Sequence, residues 1–475
     1  MFHPDHDDTT TTKIICVLSR LRALHVFVAV SLLTGIVTLG ARPQQTAPPT
    51  ATPQQPTDLT FTISGDGGAA PRLAVPDFIA LTRDAETSAI AKTISQVLYD
   101  DLNFEREFLL IPRDTYATVP ASSSFNDIPF DRWRELDADG VIIGTVQKTP
   151  MGIKVEARLF QVRTRQSAFG KEYTGSGANP RLYAHTLSDE LHQAQRGLRG
   201  VARTKLTFNS DRDGERMTGT TETRGVKEIY IADYDGENPR RVTVGRTLNI
   251  ASTWSPDGRS IAYTSYRRGP GNIFISNIFQ GTLEEVTKGP GESWLPAWSP
   301  DGTRLAFTST RDGNAEIYIA NRDGSNIRRL TNHPGIDITP TWSPSGTQIA
   351  FTSDRTGTPQ IYIIGVDGFG LQKITSESYA DRPTWSPAPY NEIAYASRNG
   401  PGFDIKVLQL ATRATQQLTF GEGTNESPAY SPNGRHIAFV STRAGKNQVF
   451  TMARDGKNIR QVTKTGNNYQ PNWSK

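Results

Sequence analysis

Cysteine is nearly absent: the 475 residues contain one, Cys16, in the extreme N-terminal segment. A disulfide framework and a thiolate metal site are therefore excluded for the rest of the chain. Histidine is sparse. His185 and His192 stand seven apart, a helical spacing but not a metal-ligand one, and His333 and His436 are isolated, so neither metal nor cofactor is expected. Charge of one sign is lacking too. The net charge is +4, and no basic stripe with interleaved aromatics occurs, which argues against a nucleic-acid partner. No nucleophile elbow, Gly-x-Ser-x-Gly, is found; Gly175-Ser176-Gly177 lacks the spacing. A long apolar run does occur, over residues 23–39. Lys13, Arg20 and Arg22 precede it, and the small pair Gly40-Ala41 follows. Residues 1–41 thus read as a cleaved export signal, with an uncleaved anchor as the alternative. Residues 42–58, rich in Pro, Gln and Thr, read as a linker.

What the chain has in abundance is a repeated phrase. Trp254-Ser255-Pro256-Asp257-Gly258 recurs at Trp298, at Trp342 with Ser345 for the acid, at Trp385-Ser386-Pro387 and as Tyr430-Ser431-Pro432-Asn433-Gly434. Trp473-Ser474 is a truncated copy, and the aromatic positions are 43 to 45 residues apart. That period suits a four-stranded propeller blade. Within one unit, Ser299-Pro300-Asp301-Gly302 fits a tight turn. Arg304 to Thr308, Glu316 to Ala320 and Arg328 to Thr331 are β-prone runs between turn residues. The segment from Lys205 to Thr243 has three strands and lacks the aromatic one. Tyr469 to Ser474 supplies only that strand. The two fragments complete a sixth blade, leaving no open edge. The tryptophans, present in nearly every unit, read as packing residues.

Ahead of the propeller, residues 59–200 read as a small mixed α/β domain. Arg72 to Val75 is a strand, Ile90, Ile94, Val97, Leu98 and Leu102 share a helix face, and Phe108 to Ile111 is a strand. Gly140 to Val146 is a buried strand, Ile153 to Val162 and Ser167 to Tyr173 form a hairpin, and Asn179-Pro180 starts a helix with Asn as its cap. The expected architecture is mainly β: an α/β domain followed by a six-bladed propeller over residues 201–475.

Signal, α/β domain and Trp-Ser-Pro-Asp-Gly propeller, in that order, resemble the TolB family, the periplasmic component of the Tol–Pal envelope system. Arg72-Leu73-Ala74-Val75-Pro76-Asp77-Phe78, Asp139-Gly140-Val141-Ile142-Ile143-Gly144, Arg158-Leu159-Phe160 and Arg181 to Asp189 look like the family's opening strand, central strands and last helix. The resemblance implies a monomeric, non-catalytic periplasmic adaptor. It would link the inner-membrane Tol complex to the peptidoglycan-associated lipoprotein, Pal, for envelope integrity and cell division. A TolA-like inner-membrane protein would bind the N-terminal strand, here Leu59, Thr60, Phe61, Thr62, Ile63, Ser64 and Gly65. In this chain the 16-residue stretch 42–57 precedes that strand, whereas the family segment usually lies near the mature N-terminus. Pal would bind the mouth of the propeller channel.

In a four-stranded blade, the turn after the second strand shares a face with the loop leading into the next blade. Those turns carry Arg212, Arg267, Arg311, Arg355, Arg398 and Arg443, and those loops carry Asn249, Glu292, Asp337, Asp381, Glu426 and Asn468. The loop residues, with Arg311 and Arg355, are the candidate partner-binding ring, because loops on a rigid scaffold tend to carry function. For the arginines the favoured expectation is internal pairing that orders the turns. Asp233 to Gly236 reads as a hairpin turn, since the rest of a calcium loop is missing. The insertion 215–227 has no assigned role. The rival function is a propeller hydrolase, peptidase- or lactonase-like, against which the missing elbow and the lack of an acid–His constellation both count.

Overall fold

The computed structural model describes residues 62–63, 69–216 and 225–475, and the chain from Asp58 to Lys475 forms one compact unit. Its first part is a six-stranded sheet. β1 (Arg72–Ala74) lies between β3 (Leu109–Leu110) and β4 (Gly140–Thr149), parallel to both, and β2 (Ile79–Ala80) also pairs with β4 in parallel. β5 (Gly152–Gln161) and β6 (Ser167–Gly175) continue the sheet as an antiparallel hairpin. α1 (Ala85–Glu105) and α3 (Pro180–Arg196) cover one face through Ile90, Ile94, Leu98, Leu187 and Leu191. The other face packs on Trp133 and Phe130 of α2 (Phe130–Glu135) together with Tyr116. Gly144 is obligatory here, since a Cβ on it would lie 2.2 Å from the Phe78 ring.

Helix boundaries follow their caps. The Asp84 carboxylate accepts from Thr87 N at 2.9 Å, starting α1. α3 starts at Pro180 as expected, but Asn179 makes no side-chain capping bond. Proline at the first helical position, with no N–H to satisfy and φ preset, starts the helix without it.

The remainder is six sheets of four strands, with inner strands at Asn249–Trp254, Ser293–Trp298, Asp337–Trp342, Ala380–Trp385, Asn425–Tyr430 and Asn468–Trp473. We call the blades one to six in that order. Blade six joins the C-terminal inner strand to Lys205–Ser210, Glu228–Asp233 and Arg240–Arg241, with Asn472 opposite Thr207 and Trp473 opposite Leu206. Ser474 N donates to Lys205 O at 2.8 Å and Trp473 Nε1 to Thr204 Oγ1 at 2.6 Å. The ring is thus closed by strands from both ends of the repeat region, as the sequence predicts.

Blades are buried on both faces. Ala262, Ile273 and Ile275 of blade one pack on Trp298, Leu305 and Phe307 of blade two. Two of the tryptophans tie neighbouring blades together: Trp298 Nε1 donates to Thr253 O at 3.3 Å, and Trp342 Nε1 to Ala297 O at 3.0 Å. The repeated turn has the expected chemistry. Gly302 N donates to Ser299 O at 2.9 Å, Gly302 has φ of 72°, and Ser299 Oγ reaches the Asp301 carboxylate at 2.5 Å. That hydroxyl, then the Thr303 N–H, holds the Asp301 pKa down at about 2.

The end of α1 docks on blades five and six. The Phe104 ring stacks on His436 at 4.2 Å and lies 4.8 Å from Tyr234. The Glu105 carboxylate meets Arg435, and the Asp101 carboxylate takes Tyr234 OH at 2.7 Å and His185 Nδ1 at 2.8 Å. Every propeller residue in these contacts lies on the Trp-Ser-Pro side of the ring or in the turns between third and fourth strands, which share that side. The arginine turns therefore face away from the α/β domain.

Candidate functional site

The arginine face is built by the turns after each second strand and the loops leading into each inner strand. Each guanidinium on it lies over at least one aromatic ring of its own blade. Arg311 is 5.7 Å from Phe307 and 5.2 Å from Tyr318, and Arg355 is 5.5 Å from Phe351 and 5.0 Å from Tyr362. Arg212, Arg267, Arg398 and Arg443 repeat the arrangement on Tyr230, Phe274, Tyr379 and Phe450. For Arg212, Arg311, Arg355 and Arg443 the serine two places earlier completes the clamp, as where Arg355 Nε donates to Ser353 Oγ at 2.8 Å. Stacking on two rings positions the charge at little entropic cost. These guanidinium groups are held mainly by rings; ion pairs are formed by Arg355 with Asp337 and by Arg443 with Glu422.

The six loop positions divide by their place in the inner strand. Asn249, Asp337 and Asn468 are each the first residue of an inner strand, and each is fully buried. Asn249 Nδ2 donates to Glu228 Oε2 at 2.8 Å, Arg355 Nη2 donates to Asp337 Oδ2 at 2.6 Å, and Arg212 Nη2 donates to Asn468 Oδ1 at 3.0 Å. Burial raises the Asp337 pKa, against the pull of its bonds to Ser353 and Arg355. These three brace the mouth from behind and present no side-chain surface. Asp381 and Glu426 stand one position later and are half-buried, while Glu292 precedes its strand, also half-buried. Asp381 accepts from Thr352 Oγ1 at 2.9 Å. The carboxylates of Glu292 and Glu426 have no hydrogen-bond or ion-pair partner among the described residues.

The same loops hold side chains that charge-based reasoning passes over. Val244, Ile336 and Phe420 are 77%, 47% and 74% exposed, large apolar groups in water on one face. Their only sequence signal is an apolar residue inside a turn-rich connection. The two ends of the insertion meet on this face as well, where Arg216 bridges Gly225 antiparallel. Arg241 pins that junction through Asp213 at 2.8 Å and Glu215 at 3.0 Å, and Lys227 Nζ sits 3.8 Å over the Tyr469 ring.

Of the N-terminal strand, Leu59, Thr60, Phe61, Ser64 and Gly65 lie outside the described residues. Thr62 is exposed and Ile63 is 2% exposed. Ile63 sits in the α1–α3 core, and its N–H donates to Gln195 Oε1 at 2.9 Å.

Among the described residues, no group of three or more His, Cys, Asp or Glu could hold a metal. His192 Nδ1 is bonded to Ser188 O, and His333 Nδ1 accepts from Gly335 N. Asp233 to Gly236 is a turn closed by Gly236 N to Asp233 O at 2.9 Å. Ser176 follows β6 and has no histidine beside it among its hydrogen-bond partners, its carbonyl taking Tyr183 OH.

The chain matches two family profiles, the TolB amino-terminal domain over residues 59–168 and the TolB beta propeller domain over residues 194–475. It is 35% identical over 187 residues to the Tol-Pal system protein TolB of Desulfosudis oleivorans, covering 39% of this chain and 40% of that protein. It is 36% identical over 173 residues to the protein of the same name from Geobacter sulfurreducens, covering 36% and 37%. The aligned stretches therefore span about two fifths of those relatives' length. The crystal structure of TolB from Acinetobacter baumannii superposes with a TM-score of 0.73 at 27% identity, over 86% of this chain and 97% of that one.

Proposed function

The chain belongs to the TolB family, and from that premise we propose that it is a non-catalytic adaptor of the Tol–Pal system in the periplasm. Its relatives are named as Tol-Pal components. No helix among the described residues is long and apolar enough to cross a membrane. Residues 1–41 serve export and 42–58 tether the folded part in this reading. The supporting observation is the arginine face: a braced ring carrying two unpaired carboxylates, Glu292 and Glu426, and exposed Val244, Ile336 and Phe420. A rigid mouth with a few desolvable apolar anchors and unsatisfied charge suits protein docking, where a small number of residues dominate affinity. The partner assigned to this face is Pal, and the N-terminal strand 59–65 is assigned to a TolA-like protein.

Capture of Pal from the same envelope by the immobilised full chain tests the reading. Wild type is expected to retain Pal. The combined variant Glu292→Ala, Glu426→Ala and Phe420→Ser, whose positions lie outside the buried brace, is expected to lose at least tenfold in affinity with an unchanged melting temperature. Retention by the variant at wild-type affinity moves the docking site off this face. No retention by wild type, with hydrolysis of an ester panel, replaces the adaptor with a hydrolase.

A further inference from the structure

Each inner strand breaks at its third residue. Ala251, Leu295, Thr339, Arg382, Ser427 and Gln470 all have left-handed backbones, with φ between 49° and 56°. The pairing with the second strand slips at the same place in every blade. Left-handed geometry costs a residue with a side chain on the order of 1 kcal/mol or more, and glycine would relieve it. None of the six is glycine. The ring thus keeps six side chains at one level of the channel wall against a repeated backbone penalty.

Beyond that level a cavity of about 380 Å³ runs to the prolines of the Trp-Ser-Pro turns, including Pro256, Pro300 and Pro344. This is the end of the channel away from the arginine face. The cavity wall contains two cationic side chains, Arg382 and Lys475, and no aspartate or glutamate side chain. Arg382 is held in place. Its Nη1 donates to Ser427 Oγ at 3.0 Å, and its Nε stands 3.6 Å from Asp381 Oδ2, an acid outside the cavity wall. Asp381 is itself fixed by Thr352 Oγ1. Nη2 has no protein acceptor among the described residues, so the guanidinium keeps N–H groups for a ligand. Thr384 and Asn472 add neutral donors to the wall, and Leu295 and Ala297 of blade two add apolar surface to it.

A pre-positioned guanidinium with free N–H groups is matched by a planar anion that accepts two parallel hydrogen bonds. The wall is formed by the inner strands of all six blades and their Trp-Ser-Pro turns. The volume is that of a small-molecule pocket and too small for a folded segment. We propose that this end of the channel binds a compact organic carboxylate, its carboxylate on Arg382 and its carbon body toward Leu295 and Ala297. The site is separate from the protein-docking face and does not depend on the adaptor reading.

Titration calorimetry on the full chain at fixed ionic strength, with succinate and its neutral counterpart succinamide, tests it. Succinate is expected to bind and succinamide not to. Arg382→Gln should weaken succinate binding about tenfold or more, the loss of a charge-assisted pair. Thr384→Glu keeps Arg382 and adds a repelling carboxylate to the wall, and it should do the same. Arg413→Gln, at an exposed turn of the same blade, should bind as wild type does. Absence of binding to wild type, equal binding of succinamide, or unchanged affinity in a folded Arg382→Gln or Thr384→Glu protein would overturn the proposal.

Discussion

Asp337 and Arg355 show how the repeat uses one position for two chemistries. The first residue of the inner strand is asparagine in blades one, five and six and aspartate in blade three, and all four are fully buried. A buried amide brings no charge of its own to compensate, whereas a buried carboxylate needs its cation. Arg355→Ala leaves the Asp337 charge unpaired and strips the guanidinium from Phe351 and Tyr362, so it should cost about 3–5 kcal/mol. Adding Asp337→Asn imports the solution of the other blades and should recover a large part of that loss. Urea unfolding of the two single variants and the double variant gives the coupling directly; strictly additive losses would show that the pair is not what holds this corner. The pairing was only half legible in sequence. Arginine after each second strand was plain, but the rings beneath it come from two different strands. An acid near the end of a loop does not reveal whether it is the first residue of a strand, hence buried like Asp337, or the second, hence half-exposed like Glu426. One residue of register decides, because side chains alternate along a strand.

At the scale of elements, the end of α1 and blade five share a buried polar seam that no periodicity announced. The hydrophobic face of α1 predicts the helix and its packing on the sheet. Phe104, Glu105 and Glu107 lie past that face, and what they meet depends on how two domains dock. The seam carries a testable pH dependence. His436 is buried against Phe104, and its pKa is pushed down to about 3, first by burial and then by Arg435, Arg460 and His192. A histidine depressed in the folded state contributes stability that is full above its unfolded value of about 6.5 and is lost as pH falls toward the folded one. In that window the loss is up to about 1.4 kcal/mol per pH unit from this group. His192, held down at about 4 by burial, acts in the same direction. Glu105 acts oppositely: burial lifts it to about 7, against Arg435, so its share of stability is lost as pH rises from about 4.5 through 7. His436→Phe keeps a stacked ring and removes one titration. Its melting temperature should fall less than that of wild type between pH 6.5 and 4, and parallel curves for the two proteins would deny His436 a part in the acid limb.

For the whole molecule, the repeat made the architecture readable and its incompleteness made the closure readable. A blade cannot bury both faces alone, so the six units repeat strands that are buried on both faces, and three strands at one end call for one strand at the other. The sequence left open which side of the ring the α/β domain covers, since no single segment encodes an interface made by Arg435, His436 and Tyr234 from separate blades. Closure by the tail makes a quantitative demand. Trp473 is 6% exposed and Trp298 is 8% exposed, and each donates its indole N–H to a neighbouring segment. If the C-terminal strand is an integral inner strand rather than a loosely added one, Trp473→Ala must cost what Trp298→Ala costs, about 3–5 kcal/mol for an aromatic lost from a core. Chemical unfolding of the two variants measures both. Equal losses with a single transition fit a ring whose seam is as strong as its other joints. A Trp473→Ala loss under about 1 kcal/mol, or a separate early transition seen in that variant alone, would mean the last strand opens before the rest and the toroid is sealed by five blades' contacts rather than six.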